Sequence, residues 1–231
     1  MSTTRTSGAS LYAGARAVSP LLLGVIPFGL ILGATAAVGS VGGALGWSTS
    51  WIIFGGSAQL VTIGLLDGGA AAAVVIATAL VVQSRHFLYS AALAPHFRGF
   101  GAGWRYGLPY LLTDQAFAVS IVAYEELEDP AAKRWFYIGA AMSLWIVWQI
   151  TTLLGAILGA EVPESWSLDF AIPLVFLALL MPLLKNRPAL AAALTAGVVS
   201  VVAWSAPYSL GLIIGALAGI VAGMLVERAA R

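Results

Sequence analysis

The chain has no cysteine and only two histidines. Disulfides and thiolate metal sites are therefore excluded, and the redox compartment is left unspecified. Charge is scarce as well. Asp, Glu, Lys and Arg make up 9% of the 231 residues, against about 25% in an ordinary soluble domain. So few charges cannot cover a water-facing surface. The net charge of +1 gives no nucleic-acid footprint. Neither a Walker A loop nor a His-Glu-x-x-His pair occurs, so no intrinsic ATPase, no zinc site of that kind and no cofactor are predicted.

What fills the chain instead is apolar. Hydrophobic residues are 60% of the total and the mean hydropathy is +0.94. Several runs are long enough to cross about 30 Å of hydrocarbon as helices. They are solidly apolar rather than alternating, which disfavours a transmembrane barrel. The predicted fold is all-α: a polytopic helical membrane protein with about eight segments, some of them broken or re-entrant. The segments fall near 18–38, 47–66, 70–94, 106–124, 135–160, 168–184, 189–204 and 208–226. They form one transmembrane domain, 18–226, between a cytoplasmic stretch 1–17 and a tail 227–231. The first run is too long for a signal-peptide core and lacks a small-residue cleavage site, so it reads as a retained anchor.

Lys and Arg in short loops set the orientation. With an internal N-terminus and eight crossings, Arg5, Arg16, Lys133, Arg134, Lys185, Arg187, Arg228 and Arg231 are cytoplasmic, and so is the C-terminus. The turns 39–46 and 161–167 are external. Arg98 and Arg105 are the exceptions, because they fall outside. Trp47, Trp51, Trp104, Trp135, Trp166 and Trp204 lie near predicted ends and suit an interfacial belt. Trp145 and Trp148 lie deeper.

The polar residues inside the spans carry the functional argument. Segment 1 contains Pro27 and Gly29, which predict a distortion there. Segment 2 contains Phe54-Gly55-Gly56-Ser57-Ala58-Gln59, which suits either a locally unwound helix or a close helix contact. Segment 3 has 14 residues before Gln83, only about 21 Å of helix. It must continue through Arg85 and His86 or turn back, and Pro95 ends it. A charge at mid-membrane costs at least a few kcal/mol, so it faces the bundle interior or a cavity. Arg85 could hold a carboxylate in its planar fork, or snorkel from a shortened helix. His86 could carry a proton, since imidazole ordinarily titrates near neutral pH, or serve structure. Asp114, with Gln115, could receive an ammonium group, accept a proton or pair with Arg85, or simply end a helix in water. Asp169 reads as a helix N-cap. An intramembrane serine protease, with Ser57 as nucleophile and His86 as base, and a membrane scaffold are weaker alternatives.

These motifs, taken in order, resemble the AzlC family. They are Pro27-Phe28-Gly29, Phe54-Gly55-Gly56-Ser57-Ala58-Gln59, Arg85-His86-Phe87-Leu88-Tyr89 with Pro95, and Asp114-Gln115-Ala116-Phe117. Asp169-Phe170-Ala171 with Pro173 continues the series. Gln83-Ser84 departs from the Val/Ile-Asn lead-in expected before the Arg-His pair and leaves the pair itself intact. The resemblance implies the large subunit of a branched-chain amino acid exporter in the plasma (bacterial inner) membrane, not an enzyme. It would export valine, leucine, isoleucine or methionine with the proton-motive force, alongside a small AzlD-like membrane subunit, in a unit that could associate further. Another small amino or organic acid is the alternative cargo. On this reading Gly55, Gly56, Ser57, Gln59, Arg85, Asp114 and Gln115 frame the substrate site, and His86 or Asp114 carries the proton. No catalytic residue and no metal ligand are predicted.

Overall fold

The computed structural model describes residues 6–159, 184, 186–204 and 210–229. All regular elements among them are helical. The chain divides into two units, 1–168 and 169–231, which are taken separately.

Two long helices frame the first unit. Helix α1 (Ser7–Val18), a tightened turn (Ser19–Leu21) and α2 (Leu22–Val38) make one apolar run of 32 residues. The tightened turn holds Pro20, while Pro27 sits inside an uninterrupted α2. The second long helix, numbered α9 in chain order, is Pro130–Gly159. Proline suits its first position, where the missing N–H costs nothing. The Asp129 carboxylate accepts from the Ala131 and Ala132 N–H groups at 3.1 and 3.2 Å. Lys133 and Arg134, predicted in a solvent loop, are therefore helical.

The two long helices run parallel at contact distance. Gly14 lies on Phe136 and Ala140, Gly33 on Thr152 and Ala156, and Gly159 on Ala34. A Cβ at Gly14, Gly33, Gly139 or Gly155 would collide with backbone of the opposite helix. Small residues that let backbones approach are the usual cement of helix pairs in lipid, where no hydrophobic drive joins them. The end where α1 and α9 begin is called the near end, and the end where α2 and α9 finish the far end.

Two hairpins fill the frame from opposite ends. The first is α3 (Gly43–Ile52) and α4 (Gly56–Asp67). It enters at the far end with Gly43 on Ala156, and reaches the middle of α9, where the Trp51 and Trp145 rings meet at 4.9 Å. It then returns to the far end. There the Asp67 carboxylate accepts from the Ser40 side chain and, at 2.5 Å, from the Ser40 N–H, and these bonds hold that exposed carboxyl below its ordinary titration range.

Helices α5 (Ala72–Gln83) and α6 (Arg85–Phe97) then cross to the near end with a 43° bend at Ser84. Pro95 lies within α6 rather than ending it. At the near end His96 Nδ1 lies 3.1 Å from Lys133 Nζ, and Gly99 packs on Pro130.

The second hairpin is α7 (Ala102–Gly107), a 3-10 turn (Leu108–Leu111), extended Leu112 and Thr113, and α8 (Asp114–Glu126). It rises from the near end past Tyr137, whose hydroxyl donates to the Leu108 carbonyl at 3.3 Å. At mid-depth the Trp145 indole donates to the Tyr110 hydroxyl at 3.3 Å. The hairpin then descends until the Tyr124 hydroxyl donates to the Lys133 carbonyl at 3.0 Å.

The predicted crossings 47–66 and 106–124 thus return to the end they came from. By length and composition, the described residues hold two spanning helices, or three if the bent α5–α6 pair is one span. They do not show eight crossings. Each hairpin is two short helices joined by a break, and a window of apolar residues is blind to that reversal. The reversal also relocates the charges. Arg98 and Arg105 share the near end with Lys133 and Arg134: Arg134 lies over the Trp104 ring at 5.3 Å. The turn 67–69 shares the far end with 39–42.

Asp169 and Trp166 lie outside the described residues. In the second unit, α10 (Arg187–Val202) and α11 (Leu210–Ala229) pack closely. Gly215 lies on Ala196 and Ser200, and Gly219 on Ala192 and Ala196. Asn186 caps α10 by accepting from the Ala189 N–H at 2.8 Å. Leu217, Val221 and Leu225 are exposed on α11.

Candidate functional site

Three interruptions of helix meet at mid-depth in the first unit: the tip of the first hairpin (Ile53 to Gly55), the bend at Ser84, and the tip of the second hairpin (Leu112 and Thr113). Arg85 joins all three. Its Nη2 donates to Ser57 Oγ at 3.0 Å and pairs with Asp114 Oδ2 at 3.0 Å. Gln83 Nε2 donates to the Ile53 carbonyl at 3.2 Å, one break capping another. The site is not a sealed core, since the Arg85 and Asp114 side chains are 37% and 43% exposed.

Local sequence explains each placement. Phe54 takes φ 38, left-handed backbone that side chains other than glycine rarely adopt. Gly55 follows in extended form, against the Gln83 amide, and Gly56 lies against Phe28 and Trp148, where a Cβ has no room. Helix α4 starts there without a side-chain cap, so the N–H groups of its first turn have no intrahelical acceptor. At the start of α8 the Thr113 hydroxyl accepts from the Ala116 N–H at 3.2 Å, and Asp114 occupies the first turn. That is the end of a helix dipole a carboxylate prefers.

His86 Nδ1 lies 3.1 Å from the Gln83 carbonyl oxygen. A carbonyl can only accept, so Nδ1 carries a hydrogen, and Nε2 of the neutral ring presents a lone pair. Four polar atoms of this cluster are shielded and make no hydrogen bond of good geometry within the protein: Gln83 Oε1, Arg85 Nε, His86 Nε2 and Asp114 Oδ1, although the Tyr89 hydroxyl lies close to the Asp114 carboxylate. Unpaired buried polar atoms are uncommon, and this cluster offers both donors and acceptors. Beside it Tyr89 stacks on Phe117 at 4.5 Å and turns its ring toward His86 at 5.7 Å.

Of the predicted site residues, Arg85, Asp114, Ser57, Gly55 and Gly56 come together here, with His86 adjoining. Gln115 is half-buried next to Asp114. Gln59 stands behind the site instead. It is fully buried, donates to Thr49 Oγ1 and Ser50 Oγ at 2.8 Å each, and accepts from the Trp148 indole at 2.9 Å. Tyr89 and Phe117 enter the sequence reading only as members of motifs and Tyr110 not at all, because an aromatic in an apolar run carries no signal of its own that it lines a site. Gln83 is a polar residue in an apolar run, and its sequence position alone does not place it in the site. A Ser57–His86 dyad is not formed, since the Ser57 hydroxyl faces a guanidinium. Among the described residues no cluster of His, Asp and Glu could hold a metal ion.

The family profile AzlC, described as AzlC protein, matches residues 20–162, which hold both hairpins and every residue of this cluster. The chain belongs to the AzlC family. As an AzlC protein it is 26% identical to the inner membrane protein YgaZ of Escherichia coli (strain K12). That alignment of 235 residues covers 94% of this chain and 89% of YgaZ. It is 28% identical over 211 residues to an uncharacterized membrane protein of Archaeoglobus fulgidus, covering 87% of this chain and 88% of that protein. No solved structure matches.

Proposed function

We propose that this AzlC protein is the large subunit of a secondary exporter of branched-chain amino acids, driven by the proton-motive force and assembled with a small AzlD-like membrane subunit. The observation that carries the reading is the Arg85–Asp114 pair, held where three helix breaks meet midway through the bundle. Broken helices at mid-depth are how secondary transporters present backbone groups and charge to a substrate.

An aliphatic amino acid is a zwitterion with an apolar side chain. Its carboxylate suits Arg85 and the open N-terminus of α4, and its ammonium suits Asp114. The Tyr89–Phe117 stack offers the side chain an apolar wall. In the empty protein each charge satisfies the other, and a zwitterion enters between them without changing the net charge of the site. An organic acid or a lysine would leave a net charge at mid-membrane, which costs at least a few kcal/mol. Methionine fits the same terms as valine. His86 Nε2 and Asp114 are the places for the coupled proton.

The near end is cytoplasmic on this reading, because Arg98, Arg105, Lys133 and Arg134 gather there. The test is reconstitution with and without the small subunit, in vesicles loaded with labelled valine, methionine or lysine under a pH gradient. Valine and methionine leave and lysine stays. If Arg85→Gln and Asp114→Asn both export valine at the unmodified rate, the site assignment fails.

A further inference from the structure

We propose that the tip of the second hairpin is the moving gate of this carrier, that the first hairpin is part of its fixed frame, and that Tyr110 is the residue at which the gate closes. The proposal rests on the transport reading and adds to it which part moves.

The first hairpin is bonded to α9 through a buried polar network. Gln59 joins Thr49, Ser50 and Trp148. Ser50 Oγ donates to Thr152 Oγ1 at 3.1 Å, Gln149 Nε2 donates to the Ser50 carbonyl at 3.0 Å, and the Trp47 indole donates to the Gln149 carbonyl at 3.2 Å. Gln59, Ser50 and Thr152 have no solvent exposure. Moving this hairpin would strand several buried donors and acceptors at once.

The second hairpin is tied differently. Its legs are anchored low, at Leu108 by Tyr137 and at Tyr124 by Lys133. Above those anchors the tip is held by contacts that water can replace. The Tyr110 hydroxyl donates to the Trp51 carbonyl at 2.7 Å and accepts from Trp145, and its ring lies 6.3 Å from that of Phe54. Tyr110 is 47% exposed. The Arg85–Asp114 pair is similarly open. Leu111 and Leu112 are buried but apolar, so their displacement leaves no polar group unpaired. Leu112 and Thr113 are already extended, which lets the tip swing without unwinding a helix. Lifting the tip from Trp51 and Trp145 opens the Arg85 site toward the near end, and the pairing of Asp114 with Arg85 brings it back.

The absence of cysteine lets engineered pairs be tested directly in the full chain. One variant carries Phe54→Cys and Tyr110→Cys, bridged by a short cleavable thiol reagent. The other carries Gly43→Cys and Ala156→Cys, where the two Cβ atoms would lie 3.4 Å apart, close to disulfide reach. In vesicles loaded with labelled valine, the tip link lowers efflux at least tenfold and cleavage restores it, while the frame link leaves efflux within twofold. Full efflux through a linked tip, or equal block by the frame link, overturns the proposal. A readout independent of valine is maleimide labelling of Ser57→Cys from the near end. The tip link lowers it, and Tyr110→Phe, which keeps the ring and loses the bond to Trp51, raises it at least threefold. No change in labelling with either also overturns the gate. Absence of valine efflux from the unlinked protein, with these labelling changes present, removes the transport reading and leaves the gate standing.

Discussion

The two hairpins reach the same depth from opposite ends, yet they are held by different chemistry. The first has a fully buried glutamine at its centre, with each amide atom engaged. The second ends in a half-open ion pair and a tyrosine. A buried polar network resists partial rearrangement, because any broken member is stranded away from water. An exposed pair is worth little to stability, since water can replace either partner. A polar residue in a membrane segment can therefore serve rigidity or function, and the environment of its atoms decides which.

The largest expected effect comes from the rigid side. Gln59→Leu strands the Trp148 indole and takes the amide donor from the Thr49 and Ser50 hydroxyls, which keep their own bonds to Gly46 and Thr152. One stranded buried donor costs the protein roughly 1–3 kcal/mol. Thermal unfolding in detergent will show this as a clear drop in midpoint, and an unchanged midpoint would dissolve the contrast between the hairpins. Arg85→Gln or Asp114→Asn comes next. Either substitution lowers valine efflux more than tenfold, and the double variant, which leaves no unpaired charge behind, moves the midpoint by less than about 1 kcal/mol equivalent, as for an exposed pair. Tyr89→Leu keeps an apolar wall but loses the stack on Phe117, and is expected to shift the preference between valine and methionine about threefold in competition assays.

The smallest effect is at the far end. Hydrogen bonds from Ser40 hold the Asp67 carboxyl below its ordinary range. A carboxyl lowered in the folded state contributes stability above the ordinary carboxylate range and loses it as pH falls through the lowered value. The stability gap between wild type and Asp67→Asn is therefore largest at neutral pH and narrows in acid. A gap that widens in acid would contradict the assignment.

Much of this was legible before the structure. The helical membrane class followed from the scarcity of charge. The break at Gly55-Gly56 and the pairing of Arg85 with Asp114 were both among the readings the residues allowed. The span arithmetic before Gln83 allowed a helix that continues through Arg85 or one that turns back, and the chain continues, with a 43° bend. What the sequence hid was direction. Residues 47–66 are as apolar as a true crossing, and hydropathy is unchanged when a chain turns back on itself. The one visible symptom was the misplaced pair Arg98 and Arg105; the reversal of 47–66 brings them to the near end, and the reversal of 106–124 keeps Lys133 and Arg134 there with them. Sequence offers Gln59 as a site residue and cannot show that its amide is already occupied by Thr49, Ser50 and Trp148. Trp51 looked like an interfacial anchor because the turn after it was invisible, and it meets Trp145 edge to face at mid-depth instead.

The parallel seam between the first and last long helices of this unit has a consequence in time. Gly14, Gly29 and Gly33 need α9 to cover them, and α9 is the last of those helices to be made. At about 5–20 residues per second of synthesis, the opening helix waits in the bilayer for several seconds with its contact face turned to lipid. The hairpins, which come between these helices in sequence, are therefore made before the helix that will hold them.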